Sequence, residues 1–318
     1  MSQDSGAPAS QLSLLPPSVP LPIGGRIYVG TCSWAEKSFV KTDFYPPGVR
    51  TASDRLRYYA GRFPTVEVDA SYFALLPPAY SRRWAEETPP GFVMNAKAFG
   101  LFTGHGVAVT RLPAGFANLL PVGLREVAEV KGADVPEEFR NACWDAYREF
   151  LAPLAGAGKL GYVLFQLPPG TKYAPEAVEE MARWRHELPG RAIAVEFRHR
   201  SWSRHPEVLA ELTRLGLAYV MVDLPDLPWL MPPVEEVTSD VAVIRFHGRN
   251  RDGWARVGAS TDQRYNYDYS GDELRHWAGV ARRLAERAGK LYAMFNNHVG
   301  GAMARDARTL ADLLEGGS

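Results

Sequence analysis

Glu67 and Glu196 sit at the inner ends of two apolar runs, TVEVD and AIAVE. A carboxylate in such a place is costly unless it is paired or used. Two carboxylates in unlike surroundings hold unlike pKa values, so one can donate a proton while the other accepts it. Lys97 ends a third run, FVMNAK, and His247 follows a fourth, VAVIRF. Desolvation would make Lys97 a base or a Schiff-base nucleophile. Its plainer role is a counter-charge for one of the glutamates. Glu67, Lys97, Glu196 and His247 are the expected catalytic set.

A wider polar set ends or follows other runs. Arg198, Arg245 and Arg249 carry planar forks suited to a carboxylate or phosphate, and Gly248 lets the backbone approach closely. Gln166, Asn296 and Asn297 add amides, and Thr31, Asp223 and His199 stand at comparable places. Trp34, Tyr72, Trp202, Tyr265 and Tyr267 lie on the adjoining loops, where they suit an aromatic wall that stacks a ring or a base. The chemistry favoured is hydrolysis or lyase-type acid–base catalysis on a small polar, anionic molecule, held by these residues. Two functions compete. A divalent metal on Glu67, Glu196, Asp223, His199 and His247 would make a phosphodiesterase acting on nucleic acid. A barrel that only binds its ligand would need no turnover. No HExxH, paired CxxC or Gly-rich dinucleotide turn is present, so no cofactor and no metal ligand is assigned.

These residues need elements to position them, and the apolar runs supply eight. They are Ile27–Thr31, Thr65–Asp69, Phe92–Lys97, Gly161–Gln166, Ala192–Phe197, Ala218–Asp223, Val241–Phe246 and Leu291–Phe295. Helical patterns separate most of them. A proline-rich loop follows the sixth. From Phe99 to Val135 there is no clean period, and loops this long are functional lids or disordered segments. This rhythm predicts a TIM (β/α)8 barrel with a long insertion after the third strand and its working face at the C-terminal strand ends. A doubly wound sheet shares the rhythm but carries a Gly-rich turn after its first strand; here that place reads TCSW.

The balance of 36 basic and 36 acidic residues gives no overall field that draws in nucleic acid or membrane, although a local basic patch leaves nucleic acid open. Two cysteines, Cys32 and Cys143, cannot build a disulfide framework, and a reducing cytoplasm is the natural setting. Cys32 is expected to be a small apolar filler. No apolar run approaches the ~20 residues of a membrane span. Residues 1–25 are rich in Ser, Pro and Gln and read as a disordered leader, with 26–318 as a single barrel domain.

With those residues in view, the chain resembles the YecE-like family, DUF72, a group of TIM-barrel proteins of unknown function. The matching pieces are VGTCSW with FYPP, FPTVEVDASYFALLP, WAEETPPGFVMNAK, VLFQLPPG, VEFRHRSW, RFHGR with YNYDYS, and FNNHVGGAMARDA. They run in order from about Ile27 to Ala307. The resemblance implies the barrel fold and no particular reaction. Asp69, in VEVDASYF, stands where the family more often has an asparagine and adds a charge there.

Overall fold

Strands buried on both faces must be covered outside and closed at their edges. In the computed structural model, which describes residues 20–316, eight parallel strands form a closed barrel. They are β1 (Ile27–Thr31), β2 (Thr65–Val68), β3 (Val93–Lys97) and β4 (Leu160–Gln166). Then come β5 (Ala192–Glu196), β6 (Ala218–Asp223), β7 (Val241–Phe246) and β8 (Lys290–Phe295). Each pairs with its sequence neighbour, and β8 closes the ring on β1 with Leu291 opposite Ile27.

The outer layer consists of α1 (Ala52–Ala60), α2 (Pro78–Glu87), α3 (Glu137–Gly156) and α4 (Pro175–Glu187), followed by α5 (Glu207–Leu215), α6 (Gly271–Arg287) and α7 (Ala302–Glu315). Their starts are set locally. Thr51 and Ser270 close capping boxes with Asp54 and Glu273, satisfying backbone donors that a helix start leaves unpaired. Gly216 stops α5 in the left-handed region. No helix follows β6. The proline-rich segment 224–240 covers that wall instead, with Leu227, Leu230 and Met231 buried. Thr238 stitches it down, its hydroxyl donating to Leu217 O (2.6 Å) and accepting from Tyr219 N (2.8 Å).

The long insertion is folded rather than open. It is built of short 3-10 turns and a two-residue antiparallel ribbon, Val107–Ala108 against Glu129–Val130. Phe102 stacks on Trp144 of α3, and Trp184 of α4 donates to Phe102 O. Residues 1–19, most of the expected leader, lie outside the described residues. The six residues 22–27 form a turn in which Ile23 and Ile27 exchange two backbone hydrogen bonds of 2.9 and 3.0 Å. Among the described residues no helix is long and apolar enough to cross a membrane.

Inside the barrel, Tyr28, Tyr162 and Tyr292 pack ring against ring, with centroids 4.9 and 5.2 Å apart. At Gly30, a Cβ would lie 2.2 Å from the carbonyl oxygen of Thr65 on the next strand. Gly30→Ala should therefore push β1 from β2 and cost about 1–3 kcal/mol, as overpacking does. Urea denaturation checks this, and an unchanged midpoint would show that the strands part freely.

Candidate functional site at the barrel mouth

In a strand, side chains alternate between faces, and paired parallel residues share a face. Arg245 on β7 reaches across the barrel interior, so its partners define the inner phase. Its Nη2 donates to Glu67 Oε1 at 2.6 Å, and its Nη1 donates to Glu196 Oε2 and to Gln166 Oε1 at 3.2 Å. Glu67, Glu196 and Arg245 are completely buried. One guanidinium thus ties β2, β4, β5 and β7 together.

Each carboxylate has further donors. Tyr162 OH donates to Glu67 Oε2 at 3.0 Å. Arg198 Nη1 donates to Glu196 Oε1 at 2.7 Å, and His247 Nε2 lies 3.1 Å from the same oxygen. The other ring nitrogen of His247 is 3.2 Å from Asn296 Nδ2. Since Asn Nδ2 only donates, we assign Nδ1 as acceptor and Nε2–H as the donor to Glu196. Arg198 Nη2 meets Tyr265 OH at 3.3 Å. Gln166, Asn296 and Tyr265 are half-buried, so solvent reaches the edge of this network from the mouth.

The two glutamates are pushed opposite ways. Burial raises the Glu67 pKa, and its half-share of Arg245 does not cancel that. Burial also works against ionised Glu196, but Arg245, His247 and Arg198 together hold it well below the usual range. Burial, with Arg198 and Arg245 nearby, lowers His247 to about 3 although Glu196 opposes this, so its ring is neutral at pH 7.

Lys97 lies beside this centre. Its Nζ is 3.5 Å from Asp69 Oδ1 and 4.6 Å from the centre of the Tyr72 ring. The His105 ring packs edge-on against the same tyrosine, 5.1 Å away. Burial, then the charges of Lys97 and Arg198, lower His105 to about 4. The excursion after β3 therefore brings an uncharged imidazole to the rim.

Other residues expected at the mouth are placed elsewhere, and strand phase is the main reason. Thr31 faces outward and bonds Tyr59 of α1. Asp223 faces outward and accepts from Arg249 Nε (2.9 and 3.1 Å) and from Tyr269 OH (2.5 Å). Arg249 goes on to Glu273, which also accepts from Tyr267 OH. Asn297 is buried against Asp306 and the Tyr267 carbonyl. Trp34 packs edge-on against Trp84 of α2, while Trp202 stacks on Phe197 outside the barrel. His199 caps the turn that follows β5 through Ser201. Of the aromatic wall, Tyr72 and Tyr265 adjoin the buried centre.

Three members were not singled out as site residues from sequence. Cys32 Sγ lies 3.5 Å from Arg245 Nη2, and burial raises its pKa, so it meets the centre as an un-ionised thiol. Tyr162 sits four residues before Gln166 on one strand face, a spacing that would have found it. His105 lay in a segment without period. Among the described residues no group of three or more His, Cys, Asp or Glu side chains is arranged to hold a metal ion. Glu196 instead meets three N–H donors.

The family model described as "Protein of unknown function DUF72" matches residues 28–317. The UPF0759 protein YunF of Bacillus subtilis (strain 168) is 29% identical over 298 residues, covering 91% of this chain and 95% of that protein. A DUF72-family crystal structure from Thermotoga maritima MSB8 has a TM-score of 0.72 at 29% identity, covering 91% of this chain and 99% of the other. One from Enterococcus faecalis V583 also gives 0.72, at 24% identity, with 91% and 95% covered. The matched segment begins inside β1 and takes in every strand that feeds the buried charge centre, and this chain belongs to the DUF72 family of proteins of unknown function.

Proposed function

We propose that the barrel mouth is the active site of an enzyme performing acid–base chemistry, of hydrolase or lyase type, on a small polar, anionic molecule. One observation carries the reading: two buried carboxylates share one guanidinium, and one is pushed up while the other is held down. Glu67 is the proton donor, because burial favours its neutral form. Glu196 stays ionised and stabilises positive charge that develops in the reaction. His247 is a positioning residue, with both ring nitrogens engaged. Lys97 and Arg198 supply the positive field for the anion, and Gln166 and Asn296 orient it.

The test begins with native mass spectrometry of the purified protein to identify the molecule it carries. Incubated with that molecule in D2O, the wild type should exchange deuterium into it or cleave it. Glu67→Gln and Glu196→Gln should each lose about 10²-fold or more of that rate, the usual worth of a positioned proton-transfer group. A second reading has its own support. Every oxygen of both carboxylates already accepts a hydrogen bond, as suits a barrel that binds without turnover. Capture of the molecule by wild type with no exchange and no cleavage would favour that reading and overturn the first.

A further inference from the structure

The folded insertion after β3 crosses the gap between α3 and α4 and leaves a cavity of about 310 Å³ there, outside the barrel wall. Leu101, Phe102, Trp144, Leu167 and Trp184 form its apolar side, each otherwise buried in the core. The two arms of the insertion meet at its edge, where a Cβ at Gly132 would lie 2.8 Å from the Leu101 carbonyl oxygen. Five polar residues share the lining. Thr103 Oγ1 lies 2.8 Å from His105 Nδ1, Glu180 and Arg183 face one another at 3.8 Å, and Thr171 is uncharged. Arg140 stands apart: it is half-buried and makes no ion pair or side-chain hydrogen bond among the described residues. Its Nε is walled off from any ligand, but its two terminal nitrogens are not, and no acceptor meets them.

That guanidinium has given up part of its hydration and gained no partner in return. Two guanidiniums to one carboxylate leave the cavity with one positive charge over, so the missing partner is an anion. A planar guanidinium matches a carboxylate through two parallel bonds, here end-on through Nη1 and Nη2. Size narrows the rest of the ligand. An apolar cavity of about 150 Å³ takes benzene, and one about twice as large has room for two fused rings and an acid group. We propose that this cavity is a second small-molecule site, for a carboxylate on a compact aromatic body of about two rings, with the acid on Arg140 and the rings against the apolar side. The site is separate from the barrel mouth, since its lining comes from the insertion, α3, α4 and the loop after β4 and includes none of Glu67, Glu196 and Arg245.

Two probes of one shape test this: 2-naphthoate, and 2-naphthamide, in which an uncharged amide replaces the carboxylate. Titration calorimetry of the full chain should show saturable binding of naphthoate about tenfold tighter than that of the amide or better, the size of one charge-assisted hydrogen bond. Arg140→Met keeps an unbranched stem and removes the charge. It should bind both probes and lose the preference, which a merely solvated arginine would not control. Ala177→Trp, filling the cavity from α4, should abolish binding of both while circular dichroism stays unchanged. Three outcomes would overturn the proposal. They are no saturable binding to wild type, equal affinity for the two probes, or a preference that survives in Arg140→Met.

Discussion

Arg245→Met should lower the stability of the folded chain by about 3–5 kcal/mol, the loss seen when one partner of a buried ion pair is removed. The arginine is 1% exposed and the two carboxylates it bridges are fully buried. Methionine fills a similar volume, so lost packing is a small part of the effect. The main part is that Glu67 loses its only cationic hydrogen-bond donor and Glu196 loses one of two, Arg198 being the other. Adding Glu67→Gln to Arg245→Met should return a large share of the stability, because residue 67 is then neutral and Glu196 keeps its ion pair with Arg198. Guanidinium denaturation of the single and double variants measures both. A single-variant loss below about 1 kcal/mol would match an exposed ion pair and contradict the buried bridge.

Acid should destabilise the protein in part through His247, and His247→Gln should remove that part. The folded-state pKa is about 3, against an ordinary value of 6.5. The unfolded chain therefore takes up a proton that the folded chain refuses. The stability held by the neutral ring is fully present above pH 6.5 and is lost as pH falls toward 3. The slope from this one group is about 1.4 kcal/mol per pH unit. Glu67 and Asp306 act in the opposite sense, since burial raises both, Asp306 to about 6. Glu196, held well below its usual range, acts in the same sense as His247 at the acid end. Glutamine can still donate to Glu196 and accept from Asn296, so the difference between the two profiles isolates the histidine. Urea midpoints across pH 4–7 should diverge steadily below about 6.5. Parallel profiles would mean that His247 is charged in the folded protein.

The barrel was legible because each buried strand is an apolar run that ends in a charge or an amide, and those ends must share one opening. Glu67, Gln166, Glu196, Arg198, Arg245, His247 and Asn296 were readable for that reason. What did not show was the phase of the alternation. In TVEV the inner residues are polar and the outer ones apolar, so Glu67 announces its own direction. In IYVGT and AYVMVD both faces are buried and apolar residues fill them alike, so Thr31 and Asp223 looked equivalent to the true inward residues. Only closure of the ring decides, and it sends Cys32 inward and Thr31 toward Tyr59. Lys97 shows a second limit. The sequence allowed either a catalytic amine or a counter-charge, and the partner that resolves its placement, Asp69, is the residue just after the neighbouring strand. The aromatic residues were the least legible. Trp34 and Trp202 stand near strand ends in sequence, but their packing is set by helices and loops that no local pattern specifies.

The bridge through Arg245 also bears on how the chain is made. A ribosome releases residues in order, and the cation that Glu67 needs is 178 positions downstream of it. Until that part of the polypeptide emerges, the nascent second strand has an acidic side chain with no positively charged mate in an otherwise greasy interior. The half-made barrel is therefore best kept wet and open, and the final collapse waits for the seventh strand to arrive.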